Sequence, residues 1–416
     1  MPQGNFRQYL FPSGHPRIED VKGLDAYTYR DVARQPGTFT GGLIEGWTPL
    51  YKNDFRGVTN DGTLREGLFR LEPPAEAERA PAAEMVQAAE AFLGLLDDRQ
   101  REAVQYGIDA VEWQTWANPE FMQFDNGLRL EFVSGRIREA AMDVVKASLS
   151  EYGYGLARAM MRINGFLGDV VGLPGILNEF SYNFSLFGTP DEREPWGWQL
   201  YGHHCAVNCF VVDGQMVVSP VFFGAEPNEI DEGEYAGTQA FTERIGLARQ
   251  LMASLPEALR EQAVTYRQMV DPAMPEGRVH SGDERHLAGA FQDNRVIPYE
   301  GILVSSMPAE SVELLTALVN EYVRILPEGP RRARLRQVQE HYGETWFSWI
   351  GGHGPEDVFY FRIQSPVAIF ELDHHCGVFL DYDEPKDFHI HTVMRTPNGN
   401  DYGRELLRQW QQVKVP

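Results

Sequence analysis

The chain has 416 residues, of which 43% are hydrophobic and 12% aromatic, and its formal net charge is -23. That length and apolar content can build one large core or two to three ordinary domains, and the acidic balance argues against nucleic acid or an anionic membrane as partner, since both need clustered Lys and Arg. Three cysteines (Cys205, Cys209 and Cys376) have no zinc-finger spacing and cannot all pair, no apolar run reaches membrane length, and the first twenty residues lack a signal-peptide pattern, so the expectation is a globular cytoplasmic protein.

In chain order, residues 1–84 read as an N-terminal arm rich in Gly, Pro and aromatics, with Asn60-Asp61-Gly62 as the turn of a hairpin between FRGVT and LREGLFRL. From Pro81 to Asp97 the apolar positions Met85, Ala89, Phe92, Leu93 and Leu96 recur at helical spacing, and a second amphipathic helix is predicted from Gly135 to Leu149. Further helices are predicted over Thr242–Leu255, Ala258–Met269, Ala309–Leu326, Arg331–His341 and Arg404–Val413, with strands around 197–223 and 345–396. Helical and strand blocks are segregated, which points to the α+β class.

Two stretches match in order. NFSLFGTPDEREPWGWQLYGHHCAVNCFVV can be laid on WFSWIGGHGPEDVFYFRIQSPVAIFELDHH, and two upstream segment pairs correspond in the same sequence order. The organisation expected is an arm (1–84), a first pseudo-symmetric sheet-plus-helix repeat (85–224), a connection (225–242) and a second repeat with the C-terminal helix (243–416). In this alignment Asn208 corresponds to Glu371.

The residues that packing alone explains least lie on the predicted strands. A period of two puts Glu371 and Asp373 on one face of FYFRIQSPVAIFELD and sets His389 beside His391 in the next strand, while YGHHCAVNCFVV offers His203 and His204. Imidazoles two apart on a strand, with a carboxylate from a neighbouring strand, can converge on a divalent metal. The expected ligand set is His389, His391, Glu371 and His204, with Asp373 as substitute carboxylate and a first-row transition metal, Fe, Zn, Cu or Mn, as cofactor. Arg362 and Arg395, each inside an apolar strand, suit a grip on a substrate carboxylate or phenolate; a buried pair with Glu371, Asp373 or Asp401 is the competing reading. Asn208, His203, Trp198 and Tyr360 are the remaining candidates for the substrate wall, although aromatic runs of this kind are more often core. His15, His280, His286, His341 and His353 have no partner suggested by spacing and read as surface or structural, and His374 and His375 read as a strand-end turn as readily as ligands. No GxGxxG, GxxxxGK[ST] or GxSxG occurs, so dinucleotide, P-loop and nucleophile-elbow readings lack their markers.

FRGVTNDGTLREGLF, GTPDEREPWGWQLYGHH, VFYFRIQSPVAIFELDHH and HIHTVMRTPNGNDYGRELLRQ together resemble a bacterial and fungal family known as domain of unknown function 3500. The resemblance runs from about Phe55 to Gln409 and implies no particular reaction. From the residues, the expected function is a metal-dependent enzyme, first an oxidoreductase, acting on a small aromatic or carboxylated molecule, with a metal-dependent hydrolase or lyase and a non-catalytic small-anion-binding protein as alternatives. The oligomeric state is not readable.

Overall fold

The computed structural model describes residues 5–414. Twelve strands form one mixed sheet: β1 (Gln105–Tyr106), β2 (Leu128–Arg129), β3 (Tyr182–Gly188), β4 (Trp196–Gly202), β5 (Cys205–Val212), β6 (Gln215–Ala225), β7 (Val264–Tyr266), β8 (Ile302–Leu303), β9 (Trp346–Gly351), β10 (Phe359–Gln364), β11 (Ile369–His374) and β12 (Ile390–Arg395). The order is β1-β3-β4-β5-β6-β12-β11-β10-β9-β7, with β2 on β3 and β8 on β9. The fold is α+β, as the segregated blocks predict. Two antiparallel runs of four, β3 to β6 and β9 to β12, meet where β6 pairs with β12, His391 opposite Gly224.

Strand alternation separates two chemistries. One face carries Trp196, Trp198, Phe359, Phe361, Phe370, Leu372, Ile390 and Met394 into the main apolar core. Helices Ala82–Leu93, Gly135–Ser148, Thr242–Ser254 and Ala309–Val323 cover it, each contributing an apolar stripe to that core. The other face carries Tyr360, Arg362, Glu371, Asp373, His391 and Arg395, all buried. Its cover comes from the N-terminal helices, the segment around Trp113 and Trp116, and the segment around Leu287 to Phe291, which form a second apolar cluster. A charged strand face can be buried only if each group finds a partner, and these segments provide most of them.

Several expectations need correction. The arm is folded, but Asn60-Asp61-Gly62 does not join two strands: Thr59 bridges Val296 instead, with Ile297 N donating to Thr59 O at 2.7 Å. The arm contains helices Ala26–Ala33 and Phe39–Tyr51, which periodicity did not reveal. The predicted helix through Met269 ends at Ala263 and gives way to β7. The 21-residue helix Glu151–Val171 was also unanticipated, because glycines interrupt its pattern. At Gly168 a Cβ would stand 1.9 Å from Leu177 O, and at Gly153 2.3 Å from Ile325 O, so both glycines serve close packing rather than helix propensity.

Candidate metal centre

His203 and His204 form the two-residue turn between β4 and β5. His204 sits at φ +61, a left-handed conformation in which Gly or Asn is the ordinary choice, so the turn aims its ring at the cost of local strain. His391 comes from β12 and His389 immediately precedes that strand, both on the polar face as the period of two predicts. Gly224 on β6 clears the space between them: a Cβ there would lie 2.7 Å from His391 Cδ2 and 2.9 Å from His204 Cδ2.

The three rings converge. His391 Nε2 lies 3.1 Å from His389 Nε2 and 3.0 Å from His204 Nε2, and all three side chains are buried. At a bond length of about 2.1 Å, ligands at right angles are separated by ~3.0 Å and tetrahedral ligands by ~3.4 Å. The two spacings to His391 match cis ligands of one ion, and the ligand atoms of all three rings lie within 4.8 Å of one another. Hydrogen bonding among neutral rings accounts for the cluster poorly. The Nδ1 atoms of His204 and His391 have no partner, and if either ring gives its Nε2 lone pair to the other, its own proton moves to an unpartnered Nδ1. A buried unsatisfied donor costs ~1–3 kcal/mol.

The surroundings orient His389 and favour the neutral form of His204 and His391. Tyr382 Oη donates to Glu226 Oε1 at 2.9 Å and so accepts from His389 Nδ1 at 3.1 Å, which leaves the His389 Nε2 lone pair free to face its neighbours. Glu226 is fully buried and also accepts from Val378 N and Phe379 N. Burial, then the neighbouring ring charges, pushes His204 and His391 well below the ordinary histidine range. His203 is lowered to about 3 by burial and its proximity to His389; its Nδ1 lies 2.8 Å from Asn164 Oδ1, and its ring stacks on His204 at 3.8 Å.

Glu371 does not complete the triad. Its two oxygens accept from Leu287 N and Ala288 N, each at 3.0 Å, and from Tyr360 Oη at 2.6 Å, while Oε2 lies 3.4 Å from His286 Nδ1. Burial alone would raise this carboxyl, but the His286 ring, Arg362 and the Tyr360 hydroxyl hold it down to about 2. Asp373 is neutralised by Arg285, whose Nε donates at 2.7 Å and whose backbone N donates at 3.0 Å. The carboxylates of the sequence-derived set therefore stand behind the histidines rather than among them.

The candidate substrate residues are dispersed. Arg395 spends its donors on Ala288 O, Gly289 O, Asp293 and Asp401 at 2.5 to 3.0 Å, a fully buried network rather than a substrate grip. Arg362 pairs with Glu300 at 2.8 Å and Pro298 O at 3.0 Å. Asn208 is held by Gln199 and by Pro220 O, at a bulge between Val207 and Cys209 that breaks the strand alternation and sends Phe210 into the opposite core. Trp198 lies on the helix-covered face with Nε1 on Ser148 Oγ, so it shares no wall with Tyr360. The aromatic run is core.

Three residues that spacing left unassigned prove central in position. His286 and His375 are buried against the cluster, with His375 3.7 Å from the His391 ring, and Glu226 anchors Tyr382. Only the polar patch around the Leu287 segment brings His286 there, a contact between parts of the chain 83 and 84 residues apart. Two open clefts of about 610 and 710 Å³ lie elsewhere, along Lys52 to Phe69 and beside Arg334 to His341, and no residue of the cluster lines either.

A mixed-sheet α+β protein with a sealed three-histidine cluster at the seam of the sheet is the class that the geometry defines. Residues 78–404 match the family described as Protein of unknown function (DUF3500), and the chain belongs to that family. No curated protein and no solved structure matches the chain. Among the described residues no helix is long and apolar enough to cross a membrane.

Proposed function

We propose that His204, His389 and His391 hold a divalent first-row transition ion and that the protein is a metal-dependent enzyme, an oxidoreductase acting on a small aromatic or carboxylated molecule. The observation that carries this reading is the convergence of three buried Nε2 atoms at 3.0 and 3.1 Å. Three imidazoles without thiolate or carboxylate suit copper or zinc better than the two-histidine, one-carboxylate arrangement of iron enzymes, and three protein ligands leave coordination positions open. A bound ion would supply redox or Lewis-acid chemistry there. The chain's own contribution is to orient His389 through Tyr382 and Glu226, to hold His204 and His391 neutral by burial, and to exclude water. Part of the cover is the segment Asn5–Tyr9, where Phe6 and Tyr9 pack on Phe388 and Tyr382 just outside His389. An organic substrate reaches the ion by displacing such a segment. Elemental analysis of tag-free protein and of a His389→Ala, His391→Ala double variant tests the reading: metal in the first and not in the second supports it, and equal content in both removes it.

The paired element order supports a further part of the proposal, that the two halves derive from one duplicated unit. In each half a short strand (β1, β7) runs parallel to the first long strand (β3, β9), another (β2, β8) pairs with it antiparallel, and three antiparallel strands follow. On this reading β5 corresponds to β11, as the sequence alignment expects. The centre then forms at the seam, where the last strands of the two units meet.

The small-anion reading has its own observation. Arg334 lines the cleft of about 710 Å³ and donates to Gln337, Val367 O and Thr396 Oγ1, and among the described residues no carboxylate pairs with it. Burial lowers its guanidinium to about 10. A carboxylated ligand in that cleft would neutralise it.

A further inference from the structure

The polar face holds a second group of histidines beside the triad. His286, His375 and His391 are all buried, and each offers a ligand atom within 4.8 Å of the others. His286 Nε2 and His391 Nδ1 have no hydrogen-bond partner, and His375 turns Nε2 toward Asp373 and Nδ1 toward Glu284, the latter at 3.7 Å. The ring shared by the two groups is His391, whose Nε2 already faces His204 and His389.

Carboxylates stand behind this group as Glu226 stands behind His389. Glu371 Oε2 is 3.4 Å from His286 Nδ1, and Asp373 Oδ2 is 3.2 Å from His375 Nε2. Both are locked in place: Glu371 by two backbone N–H groups and Tyr360, and Asp373 by Arg285. A fixed carboxylate on one side of an imidazole favours positive charge on the other, whether a proton or a metal ion, and it fixes the ring's orientation. The neighbouring cluster of Glu284, Asp373 and His375 is a different case, because Arg285 pairs with both carboxylates and supplies the cation itself.

We infer that His286, His375 and His391 take a second divalent first-row cation, which displaces the remaining N–H proton of His391 to solvent, so that the centre holds two ions bridged by the His391 imidazolate. This rests on the reading of His204, His389 and His391 as the first ion site. It gives Glu371 and Asp373 a task as positioning residues, and it explains why two carboxylates and two further histidines, His286 and His375, crowd a face that already has a triad.

The test loads the full-length chain with Cu(II), removes excess by dialysis, and measures copper per chain together with the electron paramagnetic resonance spectrum. Two ions per chain are expected, with a signal well below that of two isolated coppers because ions sharing an imidazole couple magnetically. A His286→Gln, His375→Gln variant is expected to hold one ion and to show an uncoupled single-copper spectrum. One ion per wild-type chain with full signal intensity overturns the second site while leaving the first. No bound ion in the wild-type chain overturns both. The wild-type spectrum alone decides the matter if the variant fails to fold.

Discussion

The Nε2 atoms of His204 and His391, separated by 187 residues in the chain, lie 3.0 Å apart. The contact exists because β6 lies between their strands and presents Gly224 at the crossing point, with Gly224 N bonded to His204 O at 2.8 Å. A side chain on Gly224 would force the rings apart.

Gly224→Ala is therefore expected to weaken metal binding by tenfold or more while costing about 1–3 kcal/mol of stability through overpacking. Competition against a coloured chelator, alongside urea denaturation, measures both. Wild-type affinity in this variant would mean that the rings do not need to converge.

Tyr382 Oη links Glu226 to His389 Nδ1. Tyr382→Phe removes the link without changing the packing of the aromatic ring against Tyr9 and Phe388. Loss of such an outer partner lowers metal affinity roughly 10–100-fold. An unchanged dissociation constant would show that His389 is oriented by packing alone.

Arg395 is expected to act on stability, not on ligand binding. Replacing it by Leu leaves Asp293 and Asp401 buried without their cation, a change that costs about 3–5 kcal/mol. The folded fraction should retain its metal. A variant that keeps its stability but loses affinity for a carboxylated ligand would return Arg395 to a substrate role.

Acid should destabilise the protein well above the carboxylate range. Burial lowers His374 from the ordinary 6.5 to about 4, although its bond to Phe359 O and the charge of Asp373 oppose this. The unfolded chain takes up that proton first, so stability is complete above pH 6.5 and falls as the pH drops toward 4, by about 3 kcal/mol from this ring. His203, lowered to about 3 by burial, acts in the same direction. Glu371, held at about 2, contributes stability above its unfolded value of 4.5 that is lost only as the pH falls from there toward 2. Urea midpoints at pH 7.5 and 5.0, taken with chelator present, should differ in favour of pH 7.5; equal midpoints would contradict neutral burial of these rings.

Much of the histidine cluster was legible from period-two alternation. His389 and His391 share a face because strands alternate, and β12 pairs antiparallel with β11, the strand that carries Glu371 and Asp373. His204 was read as part of an apolar strand, whereas His203 and His204 form the turn that precedes β5. Glu371 was misplaced because alternation gives the face but not the partner: the Leu287 and Ala288 N–H groups that capture it come from a segment with no regular structure and no period. His286 was unreadable for the same reason. Trp198 and Tyr360 were both assigned to the substrate wall, yet two residues at odd spacing along equivalent strands face opposite sides of the sheet.

Anomalous diffraction from crystals of the full chain, collected above and below the absorption edge of the metal it carries, tests the central claim most directly. An anomalous peak is expected among His204, His389 and His391, about 2.0–2.2 Å from each Nε2. Metal-supplemented crystals with no peak there, and with the three rings hydrogen-bonded to one another or to water, would contradict it.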